Sequence, residues 1–234
     1  MSITVLFEDE YILCVSKPNN MLVHHAHHSR NVAEETALLQ SIEREKGFKT
    51  YPIHRLDRKT SGIILLAKEK SFISKFQELF TNNAIEKVYF GIVRGFSPDE
   101  KKIDSPVKGR DANVHKEALT YLKTLANITL EIPVKPYDSS RYSLIEMKPQ
   151  TGRMHQLRVH CNKISHPLLG DPKYGDKNHN IMFAEKLNCD KLFLHAGKLE
   201  FQHPFTLEKL LLKAPFPKDW LTLFERFSWQ NPLQ

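Results

Sequence analysis

The residues of this chain with the clearest chemical potential lie between His54 and Gly62. This segment reads His-Arg-Leu-Asp-Arg-Lys-Thr-Ser-Gly, and the apolar run 63–67 follows it. Polar residues that end in Ser-Gly before an apolar, β-branched run are typical of a loop leading into a buried strand. Asp57 would then lie at the mouth of a strand, where a rigidly held carboxylate can act as a nucleophile or a general base. The alternative interpretation is a surface loop with weak Asp–Arg pairs.

A second group of candidate residues lies on the segment 86–94, whose alternating pattern predicts a strand. A period of two residues places Lys87 and Tyr89 on one face and the apolar Val88 and Phe90 on the other. The mixed face could line a pocket. A half-buried sheet aromatic explains Tyr89 equally well, because tyrosine favours strands.

A third group follows the predicted strand 141–149. Residues 150–153 predict a turn that opens a helix. On this helix, three apolar residues share one side: Met154, Leu157 and Cys161. His155 and Arg158 are three residues apart and share another side, so a basic edge is expected beside an apolar face.

These segments resemble the catalytic motifs of the RluA-type pseudouridine synthases. His-Arg-Leu-Asp at 54–57, two further residues and Thr-Ser-Gly resemble the first motif, and Lys87-x-Tyr89 resembles the second. The run 151–160 resembles the third motif, and 166–175 and 194–196 continue the match.

The resemblance implies a role for each matched side chain. It implies that Asp57 is the essential aspartate, that Tyr89 stacks on the target base, and that Arg158 pairs with Asp57. A bidentate guanidinium beside a buried carboxylate favours the charged form of that carboxylate. The resemblance further implies that Arg55 helps displace the base. Basic side chains that would hold the RNA around the same cleft are Arg55, Arg58, Lys87, Arg153 and His155.

Composition limits the classes of protein to consider. The chain has 234 residues, with 34 Lys and Arg against 27 Asp and Glu, a formal net charge of +7 and a pI near 9.2. A positive balance favours polyanionic partners such as RNA. Three cysteines without a Cys-x-x-Cys pair point away from a disulfide framework and towards a reducing compartment. Neither a signal peptide nor a run of ~18 apolar residues is present, so we expect a cytoplasmic protein that makes no membrane contact.

Cofactor and metal sites find little support in the sequence. The chain contains none of the Gly-rich nucleotide-binding motifs and no His-Glu-x-x-His, and we expect no cofactor. The most conspicuous metal candidate is the run His24-His25-Ala26-His27-His28. Ligands this crowded cannot all converge on one ion, and no Cys or carboxylate lies close by, so a solvated or RNA-facing loop is expected instead of a metal site.

The expected fold is α/β, with a mixed, mostly antiparallel sheet in two halves flanked by helices and a central basic catalytic cleft. We expect residues 1–234 to form a single catalytic domain without the S4-type RNA-binding domain that the family often carries. Other expected elements are strands at 3–8 and 11–15, two strands at 116–122 and 128–132, a helix between Asn31 and Gly47, a helix capped by Ser71 and ended by Asn82, and a helix near Trp220.

The expected activity is isomerisation of a specific uridine, flipped out of structured RNA, to pseudouridine by a monomeric enzyme. Within the family, the compact plan and the residues Ser139-Ser140-Arg141-Tyr142 resemble members that act on tRNA. Two alternatives remain open: a synthase that modifies ribosomal RNA, and an RNA-binding module without activity.

Overall fold

The computed structural model describes residues 3–24, 36–109 and 114–234. Contacts between residues divide the chain into two compact units. The first comprises Met1–Glu86, Ala196–Pro217 and Leu233, and the second comprises Lys87–His195, Lys218–Pro232 and Gln234. The expectation of one catalytic domain over residues 1–234 stays a prediction.

Strands and helices alternate irregularly along the described residues. The strands are β1 Thr4–Glu8, β2 Ile12–Lys17, β3 Tyr51–Pro52, β4 Ser61–Ala67, β5 Glu86–Arg94, β6 Glu100–Asp104, β7 Val107–Lys108, β8 His115–Lys116, β9 Leu119–Leu130, β10 Ser140–Pro149, β11 Leu194–Gln202 and β12 Lys209–Lys213. The helices are α1 Leu38–Lys46, α2 Ile73–Thr81, α3 Gln156–Lys163, α4 Lys177–Leu187 and α5 Lys218–Phe227. α5 contains the buried Trp220, as the sequence predicted.

In the first unit, the strand order is β1, β2, β4 and β11, with β3 beside β4 and β12 beside β11. All seven residues of β4 are buried, because helices cover both of its faces. Ile64 and Leu66 pack in one apolar cluster with residues of α1. Ile63 and Leu65 belong to the opposite cluster, with Phe76 of α2. The central strand that follows Asp57 is therefore held from both sides.

Both helices expected in the first unit are present, but each starts later than expected. α1 begins at Leu38 after Ala37, and Asn31, the expected start, lies outside the described residues. Gly47 ends α1 with φ +79°, as predicted. The Ser71 cap is wrong, since residues 70–72 form a 3-10 turn and the Ser71 hydroxyl donates to Glu69.

In the second unit, the strand order is β5, β10, β9 and β6. The expectation of two strands at 116–122 and 128–132 is wrong, because β9 runs without a break for 12 residues. Ten residues of β10 pair along β9, and the pairing register shifts between Leu144 and Ile145. No Gly or Pro interrupts β9, so the backbone can keep its ladder throughout.

The described strands and helices confirm the predicted class. The strand pairs β1–β2, β2–β4, β3–β4, β5–β10, β9–β10, β6–β9, β7–β8 and β11–β12 are all antiparallel. No helix of the described chain is long and apolar enough to cross a membrane.

Candidate active site

Asp57 lies in the turn that leads into β4, where the sequence predicted it. The Thr60 amide donates to the Asp57 carbonyl oxygen at 3.0 Å and closes this turn. At the start of the loop, His54 Nε2 accepts a hydrogen bond from the Leu65 amide at 2.9 Å. The Ile53 amide donates to the Leu65 carbonyl at 3.1 Å. The half-buried Asp57 is thus carried by a loop bonded to the central strand at its base.

Lys17 holds the Asp57 loop in place, a role that the sequence patterns did not predict. Its ammonium is fully buried and donates to the carbonyl oxygens of Pro18, Met21 and Arg58 at 2.8, 2.9 and 2.9 Å. Burial lowers the pKa of Lys17 to about 7, while the negative charge of Asp57 opposes this shift. Lys17 therefore joins the end of β2 to the residue next to Asp57.

Arg58 takes part in the same local network, whereas Arg55 is exposed. Arg58 Nε donates to the Asn20 carbonyl at 3.3 Å, and Nδ2 of the Asn19 side chain donates to the Lys59 carbonyl. Asn20 has φ +63°, a left-handed conformation that asparagine tolerates better than most residues. The turn after β2 and the Asp57 loop are hence bonded to each other.

Gly62 brings β4 close to β11 at the point where the loop ends. A Cβ at this position would lie 2.1 Å from the Ala196 carbonyl oxygen, and the residue has φ +110°. Only glycine meets both conditions. The Ser-Gly pair of the motif thereby sets the packing of the strand that carries Asp57.

In the second unit, β5 presents the two side chains that its alternation predicted. Lys87 and Tyr89 are half-buried, whereas Val88 and Phe90 are buried. Burial lowers the pKa of Lys87. Both residues are therefore partly accessible on one face of the strand, while residues 90–93 that follow them are buried.

The turn after β10 is held by one buried amide, that of Gln156. Its Oε1 accepts from the Thr151 hydroxyl at 2.6 Å and from the Arg153 amide at 3.1 Å. Its Nε2 donates to the Leu119 carbonyl and to the Thr120 hydroxyl oxygen, both at 3.0 Å. Together with the Gln150 amide and the Thr151 hydroxyl, which also bond to Leu119, this side chain fixes the turn onto β9.

The helix after this turn differs from the one expected. α3 begins at Gln156, so Met154 precedes it and is 42 % exposed instead of lying on an apolar side. His155 lies just before the helix with φ +55°, and its Nδ1 is 3.2 Å from the Tyr174 hydroxyl. Arg158 is only 6 % exposed, so the expected basic edge of the helix is wrong. Arg153 is exposed and donates to the Glu117 carbonyl.

Arg158 forms a buried two-pronged ion pair with Asp171. Its Nε is 2.7 Å from Oδ2 of Asp171, and its second terminal nitrogen (NH2) is 2.8 Å from Oδ1. Oδ1 also accepts from the amides of Lys173 and Tyr174, at 2.9 and 3.1 Å. Burial would raise the pKa of Asp171, but these hydrogen bonds outweigh it and hold the pKa below its usual value. Asp171 therefore stays charged.

The loop that carries Asp171 is as tightly constrained as the ion pair. A Cβ on Gly175 would lie 2.3 Å from the Asp171 carbonyl oxygen, so a larger residue would displace this turn. The guanidinium of Arg158 lies 5.2 Å from the ring centre of Tyr174, the residue that His155 also contacts. Arg158 is consequently fixed by a carboxylate on one side and an aromatic ring on another.

His160 links α3 to the strands beneath it. Its Nε2 is 2.8 Å from the Ser105 carbonyl, which can only accept, so Nε2 carries the proton. Nδ1 then accepts from the Thr120 hydroxyl at 3.0 Å. Burial lowers the pKa of His160, and the Ser105 carbonyl opposes the shift. The neutral ring is thus the form that this network requires.

The predicted site residues fall into two groups, one in each unit. Arg55, Asp57 and Arg58 lie in the first unit, and Lys87, Tyr89, Arg153, His155 and Arg158 lie in the second. The expected pair between Asp57 and Arg158 joins residues of different units and stays a prediction. Three structurally important side chains were missed: Lys17, Gln156 and Asp171. A lysine that ends an apolar strand was a weak signal for the first. The other two lie in runs that matched the family's motifs, 151–160 and 166–175, but no role was expected for their side chains.

No cluster of three or more His, Cys, Asp or Glu side chains able to hold a metal ion occurs in the part of the chain that the structure describes. Of the histidine-rich run, residues 25–28 lie outside that part. The expectations of no metal and no cofactor therefore stay predictions.

Comparison with known proteins gives one consistent answer. The family model for RNA pseudouridylate synthases matches residues 11–163. The tRNA pseudouridine synthase C of Vibrio vulnificus (strain CMCP6) is 36% identical over 239 residues, which cover 98% of this chain and 97% of the relative. That of Haemophilus ducreyi (strain 35000HP / ATCC 700724) is 35% identical, with the same coverage of both chains.

Solved structures agree with the sequence comparisons. Human RNA Pseudouridylate Synthase Domain Containing 4 is 25% identical, with a TM-score of 0.74 over 98% of this chain and 94% of that one. Human RNA Pseudouridylate Synthase Domain Containing 1 shares the fold at 22% identity, with a TM-score of 0.72 over 92% of this chain and 84% of that one. The residues that the family model matches include the Asp57 loop, β5 and α3. The chain therefore belongs to the RNA pseudouridylate synthase family.

Proposed function

We propose that this protein converts a specific uridine of tRNA to pseudouridine and that Asp57 is its catalytic carboxylate. The observation that carries the proposal is the similarity, over nearly the whole chain, to relatives named tRNA pseudouridine synthase C. The position of Asp57 supports its role, because a turn bonded to a buried central strand holds its carboxylate in place.

The reaction is an isomerisation whose atoms balance without a co-reactant. The bond between N1 of uracil and C1′ of ribose breaks, the base turns, and C5 bonds to C1′. The proton that C5 loses is balanced by the proton that N1 gains. Asp57 can act by attack on the sugar, by attack on the base, or by removing a proton on a glycal route, and the proposal covers all three.

Access to the reacting atoms requires the target nucleotide to leave its stack, as in other enzymes that act on a base within folded nucleic acid. Tyr89, half-buried on β5, is our candidate for stacking on the extruded uracil. The phosphates on either side would be contacted by the exposed Arg55 and Arg153 and by Arg58, Lys87 and His155.

Arg158 is proposed to act on Asp57 as an oriented, permanently charged group. Its fork is already fixed by Asp171 and by the Tyr174 ring, so little side-chain entropy remains to be lost when it meets a second partner. A fixed guanidinium would keep the catalytic carboxylate in its ionised form throughout the reaction.

The substrate is tested by offering the purified protein unmodified tRNA transcripts and ribosomal RNA fragments separately and locating pseudouridine in each product. Pseudouridine at one position of a tRNA is the expected result. Product confined to ribosomal RNA would leave the family assignment intact and refute the tRNA substrate. A chain that binds both RNAs and modifies neither would be an RNA-binding module.

Asp57→Asn tests the catalytic residue. Asparagine nearly preserves the shape of the side chain and removes its charge, so we expect normal RNA binding and a loss of turnover of about a thousandfold or more. Tritium release from C5-labelled uridine in tRNA measures the turnover. Asp99→Asn, at an exposed position in the second unit, is the matched control and should retain full activity. Near-normal release by Asp57→Asn would remove this residue from its role.

The same proposal extends to the cellular location, the oligomeric state and the cofactor requirement of the enzyme. A tRNA substrate implies a cytoplasmic protein, in agreement with the expectation from the cysteine content. The proposal includes a monomeric enzyme without a cofactor; light scattering tests the first property, and activity after dialysis against a chelator tests the second for a metal ion.

A further inference from the structure

A pocket in the second unit has no part in the site described above. It has a volume of about 730 Å³ and lies between the end of β5, the start of β10 and the start of α4. Three of the four residues in the run 139–142, Ser139, Ser140 and Arg141, line its wall. Arg94, at this end of β5, is five residues from Tyr89, which places the pocket about 17 Å along the strand from that side chain.

Two exposed aromatic rings line the pocket. Tyr137 is 67% exposed and ends a four-residue turn, which reciprocal hydrogen bonds between the Val134 and Tyr137 backbones close at 3.1 Å each. Phe96 is 44% exposed. Exposed apolar surface that lines one pocket is typical of a binding site. A flat ring on a rigid turn is suited to stacking against a nucleic-acid base.

Cationic side chains lie beside these rings. The Arg141 guanidinium is 5.5 Å from the ring centre of Phe96, and the exposed Lys135 lines the same pocket, two residues before Tyr137. Neither cation contacts a carboxylate within the described residues. A guanidinium that stacks on a ring keeps its N–H edge available for a phosphate.

The opposite wall of the pocket is already paired and rigid. Arg94 is 2.6 Å from Asp176, whose other oxygen accepts from the amides of Asn178 and His179 at the start of α4. His179 Nδ1 is 2.7 Å from the Tyr142 hydroxyl. Three cations, Arg94, Lys135 and Arg141, face the two carboxylates Asp138 and Asp176, so the excess is one positive charge. That excess suits one phosphate and is too small for a di- or triphosphate.

We propose that this pocket binds one unpaired nucleotide of the substrate RNA, with its base stacked on Tyr137 and its phosphate held by Arg141 and Lys135. The proposal rests on the proposed function, since it assumes that RNA is the substrate. Stacking is largely independent of base identity, so the pocket would contribute affinity and register and leave sequence selection to the catalytic loop.

The first test uses a fluorescein-labelled hexauridylate as a probe of single-stranded RNA. Tyr137→Ala and Arg141→Ala should each weaken its binding about tenfold, and Tyr137→Phe should bind like wild type because the ring remains. Leu211→Ala and Lys75→Ala remove an exposed apolar side chain and an exposed cation from the first unit and should leave binding unchanged. Because Tyr137 is exposed, its truncation should leave the unfolding midpoint unchanged, which circular dichroism checks.

The second test is turnover of a tRNA transcript. Tyr137→Ala should raise KM several-fold with kcat retained, because the pocket is remote from the reacting atoms. Unchanged hexauridylate binding in both Ala variants, or a weakened probe with unchanged KM, would overturn the proposal. A wild type that modifies no tRNA would refute the proposed substrate instead, and the hexauridylate measurement would still decide whether the pocket binds single-stranded RNA.

Discussion

Asp171→Asn is the substitution whose effect the structure defines most closely. In the wild type, Oδ1 of Asp171 accepts three hydrogen bonds, from Arg158 and from the amides of Lys173 and Tyr174, and Oδ2 accepts one from Arg158 Nε. An asparagine can keep its oxygen at the Oδ1 position and retain the three bonds. Its NH₂ group would then face Arg158 Nε, a donor, across 2.7 Å.

The cost has two parts. One charge-assisted hydrogen bond is lost, worth about 1.5–3 kcal/mol, and a guanidinium with 7% side-chain exposure loses its carboxylate. Breaking a buried ion pair by removing one partner costs about 3–5 kcal/mol. Since three of the four hydrogen bonds survive, we expect a loss of about 3 kcal/mol in the free energy of unfolding. This is a large share of the stability of an ordinary domain.

Urea unfolding at pH 7, followed by circular dichroism, measures this loss. The matched control is Asp219→Asn, which makes the same change in the pair Lys191–Asp219, whose charged atoms are 2.6 Å apart but whose side chains are 52% and 34% exposed. There the expected cost is about 0–1 kcal/mol. The double variant Arg158→Met/Asp171→Asn should be more stable than the sum of its single changes predicts, since removing both charges leaves neither one buried alone.

The pH dependence gives an independent check. The pKa of Asp171 is lowered from its ordinary value of 3.8, so its charge stabilises the fold at neutral pH. This contribution should be lost as the pH falls below 3.8 through the lowered pKa. The difference between wild type and Asp171→Asn should therefore shrink in acid. A cost at pH 7 equal to that of Asp219→Asn would refute the argument that this pair anchors Arg158.

Three further predictions concern groups of the candidate site. Arg158→Lys should lose most of the pseudouridine formation in the tritium-release assay despite its conserved charge, because an ammonium cannot form a fork, and full activity would contradict the role of the guanidinium. Since the pKa of Lys17 falls from 10.5 to about 7 on folding, the wild type should gain stability relative to Lys17→Met as the pH rises from 7 to 10.5. Urea unfolding measures this; a difference in unfolding free energy that stays constant with pH would contradict the burial of the Lys17 charge. The pKa of His160 lies below its ordinary value of 6.5, so the unfolded chain takes up the proton first as the pH falls. The wild type should therefore lose stability below pH 6.5. Thermal unfolding between pH 7 and 5 should show a smaller loss for His160→Gln.

Local patterns in the sequence were sufficient to locate the elements that carry the candidate site. A polar loop before a fully apolar run predicted Asp57 ahead of β4, and alternation predicted which residues of β5 would be half-buried. Such patterns work because burial on one or two faces of a strand imposes a period that is visible in the order of residues. The family was also evident at this level, since its motifs are short and contiguous.

Other features depended on partners far away in the sequence. The length of β9 was decided by β10, which pairs with it over ten residues, and not by the polar residues near its middle. The start of α3 was set by Gln156, whose amide joins the turn to Leu119 and Thr120 more than 30 residues earlier. A period in the sequence indicates that one face of an element is covered, but not which element covers it. The boundaries of β9 and α3 could therefore be assigned only from the folded structure.

The polar side chains show most clearly which features could be predicted from the sequence and which depended on the tertiary structure. The resemblance to the family's motifs was enough to name Asp57 and Arg158 as candidates, whereas the residue types alone left a surface loop with Asp–Arg pairs as an alternative. The partners of Lys17 and Arg158 were decided by tertiary structure alone, for Lys17 reaches a carbonyl 41 residues away and Arg158 meets Asp171 across a loop. Burying a charge is tolerated only where its hydrogen-bonding partners converge on it, and that convergence comes from the path of the folded chain.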